Sequence, residues 1–182
     1  VRVHTSGRAA HSAVSGAGAS AIEVLLDLLT ELRRLPMPAD GTLGATTYSI
    51  GTIAGGAAAN VVPDGAQAEI LFRTVEQGPN LQNSLLRWSR DRAELECLLE
   101  IPPGRFSVEP DLPTTTVPFT TDLPLLTDWG RQYLVGPGSI ELAHTPEESI
   151  GEEELFQGAE LYERLAARIL ERKNAASHPN RP

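Results

Sequence analysis

The chain has 182 residues, 41% hydrophobic and 21% charged, which is the composition of a folded globular protein and not of a disordered one. A formal net charge of -9 argues against nucleic acid or an anionic membrane surface as partner, because both select clustered Lys and Arg. With Cys97 as the single cysteine there is no intrachain disulfide and no CxxC metal site, and no apolar run approaches the roughly 20 residues of a membrane-spanning helix.

The chain opens "VRVHTSGRAAH", without an initiator Met or a signal-peptide pattern. Val1 and Val3 alternate with polar residues, so a strand is already under way, and the expectation is a piece of a longer protein. "SAIEVLLDLLTELRRLP" follows as a helix. Ser20 and Glu23 form a capping box, Ile22, Leu25, Leu26, Leu29 and Leu32 share a face, and Pro36 stops it. "TLGATTYSIGTIAGG" and "AQAEILFRT" read as strands. "PNLQNSLLRWSRDR" reads as a helix capped by Asn80 with Leu81, Leu85 and Trp88 inward. "AELECLLEI" closes as a strand, with Cys97 expected to be a buried, inert thiol. The order strand, helix, strand, strand, helix, strand predicts a ferredoxin-like α+β domain over residues 1–104.

Residues 105–182 differ in character. "SVEPDLPTTTVPFTTDLP" is rich in Pro and Thr, "QYLV" reads as a short strand, and "EEELFQGAELYERLAARILERK" is an amphipathic helix. Leu155, Ala159, Tyr162, Ala166 and Ile169 form its apolar stripe, and Glu152 to Glu154 complement its positive N-terminal end. One helix and a few short strands cannot bury that stripe among themselves.

Few residues here carry chemistry. His144 follows the glycine turn "GPGSIELAH" and precedes Glu148, an arrangement open to a metal ligand with an orienting acid and equally to an ordinary loop histidine. His11 sits among small residues between a strand and a capped helix. Asn60 precedes the strand "AQAEILFR" and Arg73 ends it, and an Arg there is either a surface charge or a bidentate carboxylate clamp. Taken singly, each reads as an unremarkable surface residue.

Together they carry more. "GRAAHSAVSGAGASAIEVL", "IGTIAGGAAANVVPDGAQAEILFR", "PFTTDLPLL" and "VGPGSIELAHTPEESI", in this order and followed by an amphipathic helix, resemble the co-catalytic zinc hydrolases. That family includes acetylornithine deacetylase, succinyl-diaminopimelate desuccinylase, aminoacylase and glutamate carboxypeptidase. The resemblance implies that residues 1–104 are a lid or dimerisation domain and that residues 105–182 are the C-terminal portion of an α/β catalytic domain. It implies roles for particular residues: His11 as the lid histidine that polarises the scissile carbonyl, in dimeric members within the partner subunit's site; Asn60 and Arg73 as binders of the substrate's carboxylate end; Gly136 and Gly138 as pocket lining; His144 as the last metal ligand; and Glu148 as an acid behind it. It implies two zinc ions per site, with cobalt or manganese as substitutes, a homodimer, a cytoplasmic location, and hydrolysis of the amide bond of N-acyl amino acids or small peptides. The resemblance does not extend to the family's His-x-Asp ligand motif, its bridging Asp or the Glu-Glu pair that follows them, so the chain alone is expected to be inactive. A non-catalytic ferredoxin-like binding or dimerisation module is the competing expectation.

Overall fold

The computed structural model describes residues 1–76 and 79–177. In chain order the elements are β1 (Arg2–Ser6), β2 (Ala10–His11), α1 (Ala21–Leu32), β3 (Ala39–Asp40), β4 (Gly44–Ala45), β5 (Thr47–Gly55), β6 (Val61–Val62), β7 (Gly65–Arg73), α2 (Asn80–Ser89), β8 (Glu94–Glu96) and α3 (Glu152–Ser177). They fall into two compact units, Val1–Gly130 and Arg131–Pro182, so the segment that follows residue 104 remains with the first unit as far as Gly130.

The first unit is built on a four-stranded antiparallel sheet of order β5-β7-β1-β8. Counting only these long strands, the order is second, third, first, fourth, the ferredoxin-like arrangement expected from βαββαβ. Alternation sorts the side chains. On β7, Ala66, Ala68 and Ile70 are buried, and β1 sets Val3 opposite Ala68 and Thr5 opposite Ala66. The Thr5 hydroxyl bonds the carbonyls of Ala21 and Ala66, at 2.8 and 3.2 Å, so its burial leaves no polar group unmet.

Both helices lie on this face. Ser20 caps α1 by accepting from the Glu23 N–H at 3.2 Å. The buried positions are Ala21, Leu25, Leu28, Leu29 and Leu32, each fully buried leucine stabilising the fold by about 2 kcal/mol. The expected face is therefore rotated: Leu28 faces inward, Leu26 is exposed and Ile22 is only half-buried. The spacing 21, 25, 28, 32 follows the helical repeat more closely than the apolar run "LLDLL" does, because the sheet admits only one stripe. On α2, Leu85 and Trp88 are buried, Leu81 packs partly against the core, and the Trp88 indole N–H donates to the Leu28 carbonyl at 2.9 Å. Asn80 is the first residue of α2 and not its cap; Pro79 stands before it, without a side-chain cap bond.

Three further expectations are corrected. The strand expected over "AELECLLEI" stops at Glu96, where the ladder to β1 ends opposite Arg2. Cys97, past the last rung, is consequently exposed. "QYLV" is not a strand: among the described residues no strand follows β8, so its backbone has no ladder to join.

The second unit contains α3. The expected stripe at Leu155, Ala159, Tyr162, Ala166 and Ile169 lies exposed, while Gly158 and Leu165 are its buried positions.

Candidate functional site

The ribbon that carries His11 leaves one end of the sheet. Chain segments near residues 7, 20 and 63 cross there at backbone contact. A Cβ on Gly7 would lie 2.1 Å from the Ala19 carbonyl oxygen, so only glycine fits without a backbone shift. The Gly7 N–H donates to the Asp64 carbonyl and the Ala21 N–H to the Pro63 carbonyl, each at 2.8 Å. Arg8 and Ala19 exchange backbone bonds of 2.8 and 2.9 Å. From this crossing β2 pairs with β6, His11 opposite Val61, and the Ser12 N–H donates to the Asn60 carbonyl at 3.0 Å. His11 and Asn60, far apart in sequence, are thereby adjacent and exposed. The Ala13 N–H donates to His11 Nδ1 at 3.2 Å, which leaves Nε2 to carry the proton of the neutral ring.

Arg73 occupies the other end of β7, opposite Thr47. Eight residue steps from Gly65 to Arg73 correspond to about 26 Å of strand. The fold therefore brings His11 and Asn60 together and holds Arg73 away from both. The Arg73 Nη1 donates to the Pro118 carbonyl at 2.9 Å. Two further bonds hold that chain segment: Arg105 to Asp40 Oδ2 at 2.7 Å, and the Thr116 hydroxyl to the Thr42 carbonyl at 3.2 Å. The Leu43 and Thr42 N–H groups on Asp40 Oδ1, with Arg105 beside it, hold the Asp40 carboxyl below its usual range.

In the second unit the glycine turn and His144 lie on irregular backbone. Gly138 has φ +93°, and its N–H donates to Glu154 Oε1 at 3.0 Å. The Tyr162 hydroxyl donates to the Val135 carbonyl at 3.2 Å. His144 is exposed with φ 64°, a left-handed conformation that costs a non-glycine residue about 1–2 kcal/mol. Glu148 Oε2 accepts from the His144 backbone N–H at 2.9 Å. The carboxylate thus braces the strained main chain, where the spacing had left it open to orienting the imidazole. Backbone strain of this kind concentrates at functional sites.

A zinc site needs three or four converging ligands. Among the described residues no group of three His, Cys, Asp or Glu side chains could hold a metal ion. The described residues do not fit a complete metal centre.

A ferredoxin-order sheet with helices on one face, a long edge strand paired on one side among the described residues and a histidine-bearing ribbon at one end defines a ferredoxin-like α+β domain. Residues 1–93 match the peptidase dimerisation domain of M20 peptidases, and the chain belongs to that family. It is 35% identical over 166 residues to a peptidase M20 domain-containing protein of Schizosaccharomyces pombe, covering 90% of this chain and 42% of that protein. It is 30% identical over 209 residues to a probable carboxypeptidase of Arthroderma gypseum, covering 95% of this chain and 45% of the relative. The chain thus spans a little under half the length of these curated relatives. The crystal structure of the aminopeptidase PepT from Bacillus cereus superposes with a TM-score of 0.63 at 22% identity, over 88% of this chain and 48% of that one, which establishes likeness of fold.

The sequence reading missed the residues that hold the glycine turn, Glu154, Gly158 and Tyr162. The available signal was Gly158 itself, a poor helix former in the body of a long helix.

Proposed function

We propose that this chain supplies the lid and the C-terminal part of the catalytic domain of a metal-dependent hydrolase. Its substrates would be N-acyl amino acids, in the manner of acetylornithine deacetylase, or small peptides. The observation that carries this reading is an exposed ribbon, fixed by the Gly7 crossing, on which His11 pairs with Val61 and the neighbouring Asn60 accepts from the Ser12 N–H. With Nδ1 accepting from the Ala13 N–H, the proton of the His11 ring stands on Nε2, suited to donate to a carbonyl oxygen as charge develops there. Arg73 keeps donors beyond its one bond to Pro118, suited to a substrate carboxylate. At about 26 Å from the ribbon it would not reach the substrate that its own chain's His11 touches. This supports a homodimer in which the two ends of one lid serve different sites. His144, on strained and braced backbone, would give one metal ligand, the remainder coming from other parts of the complete protein. Zinc is the expected metal, with cobalt or manganese as substitutes, on the strength of the family resemblance.

The test is hydrolysis of N-acetyl-ornithine, other N-acyl amino acids and dipeptides by the complete protein. His11→Ala is expected to lower kcat by about 100-fold or more with KM little changed, as for an interaction made mainly in the transition state. Arg73→Ala is expected to raise KM, as for uniform binding of a carboxylate. The reverse pattern would overturn both roles. The closed core of the first unit favours a second reading, a non-catalytic dimerisation module. Absence of hydrolysis of every substrate in the presence of zinc, cobalt or manganese would establish it.

A further inference from the structure

The helix α3 carries a feature that its amphipathic pattern does not explain. Glu154, Gly158 and Tyr162 are spaced four residues apart and so form one line along the helix. Each meets the stretch Val135 to Gly138. Glu154 Oε1 accepts the Gly138 N–H at 3.0 Å, and the Tyr162 hydroxyl donates to the Val135 carbonyl at 3.2 Å. Between them Pro137 rests on Gly158, where an added Cβ would lie 2.8 Å from Pro137 Cγ and 3.0 Å from its Cβ. A Cβ on Gly136 would stand 3.6 Å from the Tyr162 hydroxyl. Gly158 is also a buried position of α3 while its neighbours in the same turn are exposed. Glycine is the poorest helix former after proline, so its presence here is accounted for by the proline ring and not by the helix.

We infer that Glu154, Gly158 and Tyr162 are positioning residues: a rail on α3 that sets the conformation of the glycine turn at 136–138. Among the described residues no strand pairs with the turn to fix it. Two hydrogen bonds and one backbone-close contact replace that support, and the bond at Gly138 is charge-assisted. The carboxylate holds the N–H of a residue at φ +93°, a conformation that glycine shares among several alternatives unless something selects it. The rail itself rests on contacts alone. Its bearing on the substrate pocket rests on the function proposed above.

The test uses this chain labelled with nitrogen-15, following the amides of Gly136 and Gly138 and those within α3. In Glu154→Ala the Gly138 amide is expected to exchange with solvent at least about 10-fold faster while the interior of α3 keeps its protection, one lost charge-assisted bond corresponding to that factor or more. Glu154→Gln, which keeps an acceptor, should restore most of the protection. Tyr162→Phe, which leaves the helix intact, should shift the Gly136 resonance. Gly158→Ala should move both glycines at once. Unchanged Gly138 exchange in Glu154→Ala with α3 folded would overturn the rail, as would equal loss of protection in the alanine and glutamine variants. The same variants in the complete protein separate the two readings. Displaced turn resonances with undiminished hydrolysis of N-acyl amino acids would leave the rail standing and remove its link to the pocket.

Discussion

Gly7 shows how a single position controls where the chemistry-bearing residues go. The crossing it permits ties Asp64, Ala21 and Ala19 to one point by backbone bonds, and the ribbon with His11 and Asn60 starts from there. Gly7→Ala puts a methyl 2.1 Å from a carbonyl oxygen, and the backbone must move. The expected loss is about 3 kcal/mol of stability, read from urea unfolding, with loss of the nuclear Overhauser contacts between residues 11 and 61. A variant with wild-type stability and an intact ribbon would show that the crossing is dispensable. Residue types alone did mark His11, Asn60, Arg73 and His144 as candidates. They could not separate Arg73 from the other two, because strand length turns thirteen positions of sequence into opposite ends of a sheet. Nor could they tell that Glu148 serves the main chain of His144, since an acid four residues on suits either bond. Cys97 was misjudged for a related reason: an apolar neighbourhood in sequence is not burial when the ladder stops one residue earlier.

At the scale of elements the pattern was legible wherever it was periodic. α1, α2, β5 and β7 were each expected from spacing and composition, and β7 buries alternate residues as its pattern requires. The inward face of α1 was misread by a fraction of a turn, because five leucines in eight residues offer two stripes and only packing chooses between them. The short elements were not legible. β3 and β4 pair as a two-residue ribbon around Asp40, whose carboxylate accepts two backbone N–H bonds and the Arg105 guanidinium. The Asp40 carboxyl titrates below its ordinary value in the folded chain, so the folded state holds fewer protons there than the unfolded state does. Its stabilising contribution is thus fully present above the ordinary carboxylate range and is lost as pH falls through the lowered folded value. Asp40→Asn should melt below the wild type at neutral pH, with the two curves converging as the pH drops below about 4. Thermal melts across pH 2.5 to 7 check this, and a gap that widens toward acid would reverse the assignment.

For the whole molecule, the two sheet edges are unlike. β8 is three residues long and two of them are Glu, so it presents a short, charged edge. β5 runs for nine residues, "TYSIGTIAG", without a charge or a proline, and among the described residues it pairs only with β7. A long uncharged edge is a template for another strand, and Leu26 and Ile53, both exposed, add apolar surface. The expected assembly is a two-fold dimer joining β5 to its copy, an isologous contact that closes after one addition. Its geometry bears on the proposed function. β7 is antiparallel to β5, and antiparallel pairing of β5 with its copy would make the two β7 strands antiparallel to each other. The end of one chain that bears His11 and Asn60 would then lie on the same side of the joined sheet as the partner's Arg73. The two β7 strands would be three strand spacings apart, about 14 Å, against about 26 Å within one chain. Light scattering should give a dimer, and Leu26→Glu combined with Ile53→Lys should give a folded monomer with an unchanged circular dichroism spectrum. Complementation is the sharper measurement. In the complete protein, His11→Ala and Arg73→Ala homodimers should each be impaired, whereas mixed dimers hold one site with both residues intact and should recover up to half the wild-type rate per dimer. No recovery on mixing, with heterodimers demonstrated by mass, would rule out a site shared across β5.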